Sequence, residues 1–149
     1  MSLIEKINED LKAALKARDE GRLKTIRMLK SDLTYKHKEL GRELTDEEAI
    51  AVFGSAAKKR TEAMDEFRRG GREDLVEEER AEYEIIKGFL PEQLSAHDLD
   101  KAIDGAIEES GASSIQDLGA VMKILMPKIR GRADGKAVNT AVREKLIRK

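Results

Sequence analysis

Residues 88–95 read GFLPEQLS, and they divide the chain in two. Pro91 has no amide to donate and a fixed φ, and it disfavours helical geometry in the residue before it, so a helix arriving from about Arg72 stops here. Ser95, with Asp98 three residues later, starts the next helix, because a serine at an N-cap satisfies a free first-turn amide. The segment is therefore read as the boundary between an N-terminal domain, residues 1–91, and a smaller C-terminal domain, residues 92–149.

Upstream of that boundary, apolar residues recur three and four apart, the period that gathers them on one helix face. Ser2 with Glu5 is a capping-box pattern that opens a first helix carrying Ile4, Ile7, Leu11, Ala14 and Leu15 and ending near Arg18 to Gly21. Leu23, Ile26, Leu29, Leu33 and Leu40 form the stripe of a second, closed by Gly41. Thr45 with Glu48 opens a third, through Val52, Phe53, Ala56, Ala57, Met64 and Phe67 to the Gly70-Gly71 break. A fourth, from about Arg72 to Pro91, turns Leu75, Tyr83, Ile86 and Leu90 inward.

Downstream, three short helices are predicted. The first places Leu99, Ile103, Ala106 and Ile107 on one face and closes at Gly111. The second is capped by Ser114 and Asp117, faces inward with Ile115, Leu118, Met122 and Leu125, and has Pro127 at its end. The last starts at Asp134 and carries Val138, Ala141, Val142 and Leu146. No segment alternates apolar and polar residues for long enough to suggest a strand, so the fold class is all-α: about four helices, then three.

Composition narrows the function. The 149 residues are 40% apolar, enough for a real core, yet no apolar run approaches the roughly 20 residues that cross a bilayer. MSLIEKINED puts acids where a signal peptide has its basic and apolar regions, which argues against export and leads to an expected cytoplasmic location with no membrane partner. The absence of cysteine excludes disulfides, thiolate metal sites and a cysteine nucleophile. Three Phe, two Tyr and no Trp supply too few rings for a base-stacking platform, and no DNA partner is expected.

Charge is segregated along the chain despite a net value of −1. Residues 92–118 hold one Lys against seven acids, whereas residues 119–149 hold nine Lys plus Arg against two acids. A milder basic excess, nine against three, lies at residues 12–38, and residues 73–84 hold seven acids with one Arg. Such polarisation bears on partners rather than on fold.

The basic third centres on MPKIRGRADGKAVN, residues 126–139. It is no phosphate loop of the nucleotide-hydrolase kind. Only three residues separate Gly131 from Gly135, Ala137 follows Lys136 where Ser or Thr would hold magnesium, and a helix precedes it rather than a strand. A glycine-flanked turn before a helix N-terminus does suit RNA backbone, with Lys128, Arg130, Arg132 and Lys136 around Gly131 and Gly135, and Lys123 and Arg143 extending the patch. The plain alternative is a set of solvated charges over a turn between core helices. Elsewhere no active site assembles. His37 and His97 are far apart and read as polar helix residues, Glu77, Glu78, Glu79, Glu82 and Glu84 as a solvated face, and Met122 and Met126 as packing. No catalytic residue, metal site or cofactor is assigned.

The stretch LGAVMKILMPKIRGRADGKAVNTAVREKL at 118–146, with IRMLKSDL at 26–33 and FLPEQLS at 89–95, resembles the GatB/YqeY family over essentially the whole chain. The resemblance implies a stand-alone YqeY-like protein, all-helical, whose C-terminal domain is similar to the tail of the GatB subunit of tRNA-dependent amidotransferases. That tail helps hold misacylated tRNA while glutamine-derived ammonia converts the attached Glu or Asp to its amide. Residues 1–91 do not resemble the large catalytic domain of GatB, so the carbon-nitrogen ligase chemistry is associated with the complex rather than with this chain. Two functions are carried forward. One is a tRNA-binding accessory without catalysis of its own, and the other a helical adaptor that docks on amidotransferase subunits or another protein without binding RNA.

Overall fold

Hydroxyl caps decide where the main helices begin. In the computed structural model, which describes residues 2–148, Ser2 Oγ accepts the Glu5 amide at 3.1 Å while the Glu5 carboxylate accepts the Ser2 amide at 3.2 Å, opening α1 (Leu3–Ala17). Thr45 and Glu48 make the same exchange at 3.2 and 3.0 Å ahead of α3 (Asp46–Arg69). Between them α2 (Glu20–Leu40) starts on Asp19, which accepts the Arg22 amide at 3.1 Å. After α4 (Glu73–Lys87) come α5 (Ala96–Ser110), a 3-10 turn at Ile115–Asp117, α6 (Leu118–Ile129) and α7 (Gly135–Ile147). There is no strand among the described residues, and the fold class is all-α.

The helices cluster into two compact units, one ending at Pro91 and one beginning at Glu92. In the first, α3 packs on α4 and α1 on α2, around fully buried Ile7, Ile26, Leu29, Phe53 and Ile86. Each such side chain contributes about 1.5–3 kcal/mol of burial. Phe89 completes this core just beyond the end of α4. It is 3% exposed, its ring centroid lies 5.9 Å from that of Phe53, and the Lys6 ammonium and Arg22 guanidinium sit 5.6 and 6.0 Å from it. Lys6 also donates to the Gly88 carbonyl at 3.2 Å. The GFL portion of the boundary segment is therefore anchored in the first core.

Arg60 ties the outer helices of this unit together. It is only 14% exposed, pairs with Glu82 at 3.1 Å and Glu79 at 4.0 Å, and touches the Met28 sulfur. Burial, and then the neighbouring Glu82 charge, pushes the Glu79 carboxyl above its ordinary range.

The second unit buries Ile103 and Ile107 of α5, Val121, Leu125 and Ile129 of α6, and Val138, Val142 and Leu146 of α7. Several stripes differ in phase from those expected. Val76 and Phe89 are buried where Leu75 and Leu90 are half-buried, and Leu15, one step round the helix from buried Ala14, is 48% exposed. Ser114 and Asp117 cap the 3-10 turn rather than α6, which leaves Ile115 37% exposed and turns Val121 and Ile129 inward ahead of half-buried Leu118 and Met122. Pro127 stands within the last turn of α6, two residues before its end.

Candidate nucleic-acid interface

The α6–α7 turn is held by the first residues of its own unit. The Arg130 amide bonds the Met126 carbonyl at 3.0 Å and the Arg132 amide the Ile129 carbonyl at 2.8 Å, with Gly131 between them at φ 76°, a left-handed conformation open to glycine at no steric cost. Gln93 Nε2 then donates to the Gly131 carbonyl at 2.7 Å, and the Leu94 amide to the Arg132 carbonyl at 2.9 Å. Arg132 Nε returns a bond to the Glu92 carbonyl at 3.0 Å. These three bonds fix the turn, and they assign Arg132 a structural task that the sequence did not suggest.

Asp134 caps α7, its Oδ2 accepting the Ala137 amide at 3.4 Å. A carboxylate thus already occupies the positive end of the α7 dipole, so anion attraction here depends on the basic side chains rather than on bare amides. Gly135, the first residue of α7, has no positive φ, and a Cβ there would meet Met126 Cε at an ordinary 3.8 Å.

The basic residues fall into distinct settings. Lys128 turns toward α5 and pairs with Glu109 at 3.2 Å, both side chains more than half exposed, a pair worth about 0–1 kcal/mol. Lys123, five positions earlier, points about 140° away around α6. Lys136 and Arg143 are two turns apart on one exposed face of α7, with Thr140 between them. Arg143 Nε donates to Asn139 Oδ1 at 2.8 Å, and neither Lys123 nor Lys136 takes part in an ion pair among the described residues. Arg130 is exposed at the end of α6.

Sequence reasoning missed the counter-charges. Lys145 lies 2.6 Å from both Asp100 and Asp104 of α5, and the hydrogen bonds its ammonium donates to these two carboxylates raise the Lys145 pKa. The acidic and basic blocks of the C-terminal third therefore partly answer one another inside the unit. Acids four apart on α5 were the available signal.

Among the described residues no group of three or more His, Cys, Asp or Glu is placed to hold a metal ion, and no helix is long and apolar enough to cross a membrane. His97 is exposed in the first turn of α5. His37 lines a cleft of about 630 Å³ in the first unit beside Asn8, whose Oδ1 is buried without a partner among the described residues.

A family model and three relatives place the chain among known proteins. A family model described as YqeY-like protein matches residues 4–146. The Pyrenophora tritici-repentis protein named altered inheritance of mitochondria protein 41, mitochondrial, is 29% identical over 147 residues, covering 95% of this chain and 80% of that one. The Saccharomyces cerevisiae (strain YJM789) protein of the same name is 27% identical over 132 residues, 88% of this chain and 70% of its own. An uncharacterized Schizosaccharomyces pombe protein is 30% identical over 89 residues, 60% of this chain and 72% of its own.

The mitochondrial names overturn the cytoplasmic expectation. That expectation rested on the acids of MSLIEKINED, which argue only against the basic and apolar pattern of a secretory signal peptide. With the family model spanning both helical units, the chain belongs to the YqeY-like protein family, the stand-alone side of GatB/YqeY.

Proposed function

We propose that this protein is a tRNA-binding accessory without catalysis of its own, holding RNA backbone through Lys123, Lys136 and Arg143 beside the clasped α6–α7 turn. The observation that carries the reading is that these three cations stand exposed on helices joined by a fixed turn and are not consumed by acids of α5. A rigid array of cations binds a polyanion at less cost in ordering than a mobile one. Arg130 and Lys128 add to the field, whereas Arg132 and Gly131 serve by shaping the turn. The resemblance to the GatB tail is the ground for proposing tRNA as the RNA, and the glutamine-dependent carbon-nitrogen ligase chemistry stays with the amidotransferase that such a protein would assist.

The test is fluorescence anisotropy with labelled tRNA at low salt, comparing the native chain with Lys123→Glu/Lys136→Glu/Arg143→Glu. The reading expects binding by the native chain and its loss in the charge-reversed one. Equal binding by both, or none by either, removes it. Capture of an amidotransferase subunit that survives ribonuclease digestion, together with no tRNA binding, would establish the protein adaptor instead.

A further inference from the structure

We infer that the outward face of α2 is a second RNA-contact surface, on which Lys24, Arg27 and Lys38 hold phosphates and Tyr35 stacks on one unpaired base. The inference rests on the tRNA-binding reading and adds a surface in the first unit.

α2 turns Leu23, Ile26, Leu29 and Leu33 into the core. At 100° per residue, Lys24, Arg27, Ser31, Tyr35 and Lys38 all fall within about 40° of one direction, about 145° round the helix from the mean direction of those four, and all five are exposed. The stripe is about 21 Å long from Lys24 to Lys38 at 1.5 Å per residue. Within this sector the acid is Glu20, at the N-terminal end, while exposed Asp32 and Glu39 lie beyond the edge that carries Tyr35.

Of the three lysines and arginines of α2 that lie off the stripe, two are paired. Arg22 and Lys36 lie off it and are paired, with Asp10 at 3.3 Å and Glu39 at 3.5 Å. Arg27 and Lys38 lie on it and enter no ion pair among the described residues, while Lys24 is near enough to Glu79 for that carboxyl to feel its charge. Between the cations stands Tyr35, 75% exposed, the most exposed large hydrophobic side chain described. A lone ring is no platform for a single strand, but it caps one base. Unpaired bases in folded RNA offer their faces to such rings, and the flanking cations engage the phosphates on either side. An acidic protein surface would be met by the cations alone and leaves the ring without a role.

Full-length chains, checked for native helicity by circular dichroism, are titrated against labelled tRNA over a salt series. Tyr35→Ala should weaken binding at least about fivefold at every salt concentration without changing the salt slope, and Tyr35→Phe should restore it. Arg27→Gln/Lys38→Gln should flatten the slope of log affinity against log salt by about 1.5 units. If both α2 variants bind as the native chain does while Lys136→Gln/Arg143→Gln is weakened, the α2 surface is refuted and the C-terminal reading stands. Native affinity in Tyr35→Ala alone overturns the stacking assignment. No binding by the native chain refutes both surfaces.

Discussion

Changing Phe89 to alanine should unfold the first unit well before the second. The ring is 3% exposed, packs on Phe53 at 5.9 Å and lies under two cations, so its removal leaves a cavity and takes an aromatic face from Lys6 and Arg22 where α4 ends. A buried Phe→Ala change costs about 3–5 kcal/mol, and the ring-ring and cation contacts place this one toward the upper end. A unit of this size has a total stability of about 5–14 kcal/mol, so a third or more is lost. At about 4–8 °C per kcal/mol, a loss of 4 kcal/mol lowers its Tm by roughly 15–30 °C. Hydrogen exchange read by mass spectrometry assigns that loss to place, since peptides from residues 3–87 should lose protection while those from 96–147 keep theirs. A Tm drop under about 5 °C would refute the anchoring role of Phe89. Equal loss of protection in both sets of peptides would show that the two units fold as one.

Three further outcomes follow from individual contacts. Arg42, and then the Thr45 amide, hold the Glu48 carboxyl down from an ordinary 4.5 to about 2, so its stabilisation is fully present above pH 4.5 and is lost as pH falls toward about 2. Glu48→Gln should flatten the urea-midpoint profile across that window, and an unchanged profile would exclude the pair as its source. Gly131→Ala should cost about 1–2 kcal/mol, because alanine resists a φ of 76°, whereas Gly135→Ala should be neutral or stabilising; urea melts of the two variants check the contrast. Arg132→Gln and Gln93→Ala should cost about 1–3 and 0.5–1.5 kcal/mol, and a double-mutant cycle should show them coupled by at least about 0.5 kcal/mol if they hold one turn.

The elements that could be read from sequence are those specified by neighbours in sequence. Ser2 with Glu5 and Thr45 with Glu48 lie three residues apart, and a cap needs nothing farther away. The phase of α6 was misread because LGAVMKILM is apolar on nearly every side, with Lys123 its only charge, so periodicity gives no polar face to set the stripe. The end of α4 came early because Gly88, not Pro91, closes it. At the candidate interface the residue types were visible and their tasks were not. Arg132 bonds to a residue 40 positions away, and Lys145 is answered by Asp104 41 positions away, distances over which a local pattern carries no information. Tyr35 was legible only as one of two tyrosines until the core fixed which face of α2 turns outward.

The measurement closest to the central claim is the salt dependence of tRNA affinity for the native chain and for Lys123→Gln/Lys136→Gln/Arg143→Gln. Three phosphate contacts removed should reduce the slope of log affinity against log salt by about two units or more, with binding weakened across different tRNA sequences alike. A neutralised chain that keeps both the native affinity and the native slope would contradict the account.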